Sequence, residues 1–179
     1  MLTNKAEEIS VFGGDVDEVV LPEFRALYRY WAQVRGGRWA PPWSEFHLDK
    51  LSNEIIPWCV VVDISREPLT FMYRFWGTRV GDLLGVDLTG KSSDNIPGQP
   101  YAQRARAEYT EMLERKAAMY TDKPHINDME IEVRYQVLRV PFSSGGEIEN
   151  ILSVGGFSAS KEGNENYFRT RAPMAIRPT

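Results

Sequence analysis

The 179-residue chain has one cysteine, Cys59, and two histidines, His47 and His125. A lone cysteine excludes an intramolecular disulfide and fits a reducing compartment, so a cytoplasmic location is expected. Two isolated imidazoles do not make the closely spaced ligand set that a metal wants. Positive charge is not in excess: Lys and Arg number 21 against 25 Asp and Glu, a formal charge of -4. Such a chain has no overall pull toward phosphate backbones or anionic lipid, so neither nucleic acid nor membrane is an expected partner. Arg35 and Arg38 flank a predicted helix end, where the helix dipole favours cations. No basic segment followed by an apolar run opens the chain, as a secretory signal would. Nor does any stretch approach a membrane span, since the densest apolar run, residues 55–62, is broken by Pro57.

What is present is ordinary for one globular domain: 42% hydrophobic and 26% charged residues. Residues 1–20 are rich in acids and glycine and read as a flexible arm. Residues 21–158 read as the folded domain and 159–179 as a polar tail. Leu21, Phe24, Leu27, Tyr28, Trp31 and Val34 recur at helical spacing, with Gly36-Gly37 as a stop. After Pro41-Pro42 a short helical piece is expected, capped by Ser44 or Asp49 and ended by Pro57. Residues 58–64 and 69–76 read as two strands joined by the turn Ser65-Arg66-Glu67-Pro68, an antiparallel hairpin. Thr78 is expected to cap a short helix closed by Gly85, and Pro100 to open a longer one, with Glu111 and Arg115 spaced as an i,i+4 pair.

The remainder reads as β. A weak strand is expected between residues 117 and 126, interrupted by Pro124. Ile131, Val133, Tyr135 and Val137 alternate with polar residues; then Leu138, Val140 and Phe142 carry the apolar phase. Either a bulge near Val137 or Leu138, or burial of both faces there, accounts for the slip. Ser143-Ser144-Gly145-Gly146 is a hairpin turn, and residues 148–157 form the last strand. Paired strands on either side of a helical segment predict an α+β domain with an antiparallel sheet, not the parallel βαβ alternation of nucleotide-binding folds.

Several patches carry a family likeness: Tyr73-Arg74-Phe75-Trp76-Gly77-Thr78, Gly85, Asp87-Leu88-Thr89-Gly90-Lys91, the upstream helix with Tyr28, Trp31 and Gly36-Gly37, and Leu138-Arg139-Val140-Pro141-Phe142. Over residues 21–157 the chain resembles a family of bacterial, mostly alphaproteobacterial, PAS-like proteins of poorly defined function. The resemblance implies a five-stranded antiparallel sheet with helices on one face and an N-terminal amphipathic flanking helix. It also implies a regulatory module that binds a small molecule, a protein partner or both. No catalytic residue carries over, and an enzyme is not expected. Dimerisation through the flanking helix would use Phe24, Leu27, Tyr28 and Trp31; packing of that helix on its own sheet is the alternative.

Candidate site residues come from the aromatics. Tyr73, Phe75, Trp76, Tyr109 and Tyr135 fall on the sheet or the helix expected to face it, and Phe71 falls among them. They read mostly as core, or as the walls of a ligand cavity. Arg74, Arg79 and Arg139 are the polar candidates, each needing an acidic neighbour or an anionic ligand. No cofactor is identified. A haem ligand would be expected on the long helix, which has no histidine; a flavin-adduct cysteine would be expected in the helical segment, which has none. Cys59, inside an apolar run, reads as a core thiol. Gly85-Val86-Asp87-Leu88-Thr89-Gly90-Lys91-Ser92 matches the phosphate-loop pattern, but lacks a preceding strand and a following helix, so a nucleotide site is the weaker alternative. A scaffold with a filled core and no ligand remains the other.

Overall fold

The structure, a computed structural model, describes residues 9–20, 22–126 and 132–158. The tail and the first eight residues lie outside these. Within the stretch expected as an arm, Ile9–Phe12 forms a strand (β1), with a one-turn helix, Val16–Val19 (α1), after it. The first long helix spans Pro22–Arg35 (α2). In place of the short helix expected next there are three separate 3-10 turns, Trp43–Glu45, Leu48–Lys50 and Ile56–Trp58.

Cys59–Arg66 (β2) and Leu69–Trp76 (β3) form the hairpin; Thr78–Leu84 (α3) and Gln99–Arg115 (α4) come next. Met119–Ile126 (β4), Glu132–Phe142 (β5) and Asn150–Ser158 (β6) complete the fold. All pairings are antiparallel, in one sheet of order β1-β4-β5-β6-β2-β3. The sheet therefore has six strands, the expected five plus β1, which pairs with β4 from Ile9–Asp122 to Phe12–Met119.

Both faces of the sheet are covered. On one, α2 lays Phe24, Leu27, Tyr28 and Trp31 against Cys59, Val61, Leu138, Val140, Leu152 and Val154. These four helix residues are at i, i+3, i+4 and i+7, a single stripe, and all are buried. The Trp31 indole N–H donates to the Pro141 carbonyl at 2.8 Å, fixing the helix on its own sheet. The four residues expected at a subunit interface are thus spent inside the chain, because the facing strands offer an apolar surface of their own. Arg38 closes the end of α2, donating to the carbonyls of Val34 and Arg35 and pairing with Glu45.

On the other face, α3 and α4 bring Val80, Tyr109 and Met112 onto Val60, Val62, Phe71, Tyr73, Met119 and Ile151. Burial on both sides explains the phase change in β5, whose pairing with β4 and β6 runs without a bulge. Gln136 through Phe142 are all buried, so neither face there is required to be polar.

The bulge lies instead in β3. Val61 pairs with Phe75 and Val62 with Tyr73, which leaves Arg74 as the extra residue. An extra residue swaps the faces of the strand beyond it. Phe71 and Tyr73 therefore face α4, Phe75 turns to the α2 side, and Trp76 returns to the α4 side.

The N-cap of α3 is Gly77, not Thr78, which is the first residue of the helix, and Gly77 permits no side chain: a Cβ there would meet the Pro57 carbonyl oxygen at 2.2 Å. Gly85 ends α3 at φ 68, the left-handed conformation that glycine adopts without strain.

Candidate functional site

Between α3, α4 and their sheet face lies a cavity of about 160 Å³. α4 determines much of it. Pro100 sits in its first turn, and Ala105, Glu108, Tyr109 and Met112 lie on one inward stripe. That stripe is apolar apart from Glu108. Tyr101 and Arg104 stand at the rim, both exposed. Trp76, Val80, Leu83 and Leu84 form the wall on the α3 side. The floor is the sheet: Tyr73 from β3, Thr121 and Lys123 from β4, Tyr135, Val137 and Arg139 from β5, and Ser153 and Gly155 from β6. Gly155 is needed for close approach, since a Cβ at that position would stand 2.7 Å from the Tyr135 hydroxyl.

The aromatic walls touch one another. Tyr73 and Trp76 meet edge to face with ring centres 4.6 Å apart, and Phe71 and Tyr109 lie 5.1 Å apart. Burial pushes the Tyr73 and Tyr109 hydroxyls well above the ordinary phenol range, so both stay neutral.

Charge enters through three buried side chains. Glu108 accepts from Lys123 Nζ through Oε1 and pairs with Arg139 Nη2 through Oε2, both at 2.5 Å. The three side chains are only 8–10% exposed. Burial alone would raise the Glu108 carboxyl, but the charges of Arg139 and Lys123 outweigh it and hold the pKa below the usual carboxylate range. Arg139 is pulled down by burial and held up by Glu108, with a net rise. Its guanidinium carbon lies 5.7 Å from the centre of the Tyr109 ring.

Of the eight residues expected to bind a ligand, five line the cavity: Tyr73, Trp76, Tyr109, Tyr135 and Arg139. The other three point elsewhere. Arg74, displaced by the bulge, faces solvent and pairs with Asp63 at 2.8 Å. Phe75 packs on the α2 side, and Arg79 is exposed on the outer side of α3. Glu108 and Lys123 were missed. The signal for Glu108 was available: it interrupts the stripe of Ala105, Tyr109 and Met112, an acid where helical spacing demands an apolar residue. Lys123 offered less, because β4 alternates weakly.

The phosphate-loop lookalike is spent on other bonds. The Asp87 carboxylate accepts from Thr89 N–H at 2.8 Å, Gly90 N–H donates to Tyr73 O, and Tyr73 N–H donates to Lys91 O. Ser92 caps the 3-10 turn Ser93–Asn95, so no α-helix starts there to aim amide groups at a phosphate. Cys59 is fully buried and unpaired, and burial pushes its thiol up to about 12. His47 lies on the surface, and the side chain of His125 is outside the described residues.

A fully antiparallel sheet with helices that enclose such a cavity on one face defines an α+β domain with a ligand-sized pocket. A model of the PAS domain family matches residues 20–154. The chain belongs to the PAS domain family. Among curated proteins, none matches. Among solved structures, the chain is similar to a light-oxygen-voltage domain studied with a flavin analogue: 16% identity, TM-score 0.40, covering 62% of this chain and 83% of that one. It is also similar to VqmA of Vibrio cholerae. The VqmA dimer without target DNA gives 15% identity and a TM-score of 0.43, covering 64% of this chain and 52% of that one. The VqmA–ligand–DNA complex gives 13% and 0.44, covering 75% and 62%. Among the described residues, no helix is long and apolar enough to cross a membrane.

Proposed function

We propose that this PAS domain is a sensory module that takes a small organic molecule into the cavity between α3, α4 and the sheet, and reports its occupancy to a protein partner through α4. The observation that carries this reading is the cavity: about 160 Å³, with aromatic walls and a charged cluster at its floor. Ligand sites combine apolar walls with a few placed polar groups in this way. A scaffold with a filled core is the reading that such a space speaks against.

The route to a partner comes from the same cluster. Glu108 belongs to α4, Lys123 to β4 and Arg139 to β5, so the seat of the helix is set by charges at the cavity floor. A ligand that favours one seat of α4 tenfold over another shifts that equilibrium by about 1.4 kcal/mol. A homodimer is part of the proposal, formed through surfaces other than the buried stripe of α2. The reduced, buried Cys59 suits a cytoplasmic setting.

The test is native mass spectrometry of the freshly purified chain beside Gly155→Val, whose side chain crowds Tyr135 and fills the floor. The expected result is a bound small-molecule mass, or uptake from a metabolite mixture, that the variant loses while remaining folded by circular dichroism. Equal uptake by both proteins would place binding outside the cavity and end this reading.

A further inference from the structure

The charged cluster at the cavity floor is incomplete. Arg139 is 6% exposed and uses Nη2 on Glu108. Its Nε and Nη1 meet no acceptor among the described residues. Glu108, the carboxylate that reaches Arg139, is shared with Lys123. The Tyr109 ring lies 5.7 Å from the guanidinium, Tyr73 and Tyr135 line the same cavity, and burial holds the Tyr73 and Tyr109 hydroxyls neutral. A buried cation with unused donors is costly unless an anion completes it.

We infer that the ligand of this cavity is a small organic monocarboxylate with a compact apolar body, its carboxylate accepting from Arg139. This rests on the sensory reading above and names the class of molecule sensed. Size sets the body: a dry cavity of about 150 Å³ holds a benzene ring, and this one is about 160 Å³. One ring or one branched aliphatic chain fills it. Charge sets the head: a single guanidinium with leftover donors matches one negative charge, and a carboxylate is the planar acceptor that guanidinium donors suit best. A dianionic phosphate monoester would bring a second charge that Arg139 does not meet. The wall of Trp76, Val80 and Leu83 gives the opposite end of the molecule an apolar seat. The indole N–H of Trp76, buried and without an acceptor among the described residues, is a further donor at the same cavity.

The experiment uses the whole chain at pH 7 and three matched pairs: benzoate and benzamide, phenylacetate and phenylacetamide, isovalerate and isovaleramide. Binding is read by calorimetry and by tryptophan fluorescence, since Trp58 and Trp76 line the cavity. In at least one pair the acid is expected to bind about tenfold or more tightly than its amide, the scale of a hydrogen bond to a charged group. Arg139→Gln is expected to abolish that preference, and Arg139→Lys to retain part of it. If Arg139→Gln does not fold, the acid–amide comparison on the unaltered chain decides alone. Amides that bind as well as acids overturn the carboxylate inference and leave the sensory reading standing. Failure of every compound to bind overturns the carboxylate inference as well, while the sensory reading stands or falls separately on the mass-spectrometric comparison with Gly155→Val.

Discussion

Replacing Glu108 by glutamine removes the negative member of the buried cluster and keeps its shape. The side chains of Glu108, Lys123 and Arg139 are 8–10% exposed, so water screens them little. Removing one partner of a buried ion pair costs about 3–5 kcal/mol, because the surviving charge stays buried. The glutamine amide oxygen still accepts one hydrogen bond, which puts the expectation near the lower end, about 3 kcal/mol. With a urea slope of about 2 kcal/mol per molar, the unfolding midpoint falls by roughly 1.5 M. The same cluster predicts a pH signature. The folded pKa of Glu108 lies below its unfolded value, so its stabilisation is fully present above the unfolded pKa and is lost as pH falls through the folded one. The gap between the native chain and Glu108→Gln is therefore widest at neutral pH and narrows below about pH 4.3. Urea unfolding at pH 7 and between pH 5 and 3 measures both. Glu111, which pairs with Arg115 on the exposed side of the same helix with side chains 39% and 53% exposed, is the internal control. Its glutamine variant should change stability by no more than about 0.5 kcal/mol. A Glu108→Gln loss no larger than that, or a gap indifferent to pH, refutes the reasoning that these charges are dry and mutually dependent.

Other consequences can be measured directly. Gly77→Ala places a Cβ 2.2 Å from the Pro57 carbonyl oxygen and 2.7 Å from that of Cys59; a loss of about 1–3 kcal/mol or more is expected in thermal unfolding, and an unchanged midpoint would mean the strand–helix corner is looser than described. Trp31→Phe keeps a large ring under α2 but strands the Pro141 carbonyl, at an expected cost of about 1–3 kcal/mol; an unaltered urea midpoint would show that the bond contributes nothing net. Cys59, with its thiol pushed up to about 12 by burial, is expected to resist a thiol reagent at pH 8 in the folded chain and to react once urea unfolds it. Labelling at the same rate in both states would contradict its burial.

The fold was legible where periodicity and stop signals agreed. Leu69–Trp76 and Thr78–Leu84 fall where the turn residues placed them, and α2 starts at Pro22, within a residue of the start its apolar spacing required. β1 was not legible, because four residues in an acidic, glycine-rich stretch gain their strand character only from pairing with β4. The segment from Trp43 to Trp58 misled for a related reason. Its prolines and caps suit helical turns, and tertiary packing of Trp43 and Phe46 edge-on against Phe142 breaks it into separate 3-10 turns. At the site, aromatics were found because they are large and fall together on the sheet and the helix that faces it. Arg74 and Phe75 were misplaced by a single inserted residue in β3, which strict alternation cannot foresee. Glu108 was hidden among many surface acids, although its position within an apolar stripe set it apart.

The loop carrying Gly90 and Lys91 acts as a selvedge along the outermost strand. Both main-chain groups of Tyr73 that point away from β2 are already taken, its carbonyl by Gly90 and its amide by Lys91, and Met72 makes a bridge to Ser92. A foreign strand arriving at that margin finds its docking points filled, so growth of the sheet into a fibre is blocked beside the very tyrosine that floors the cavity. The chain can therefore keep a soft, hollow interior next to a sheet border without that border becoming a place where copies stick together.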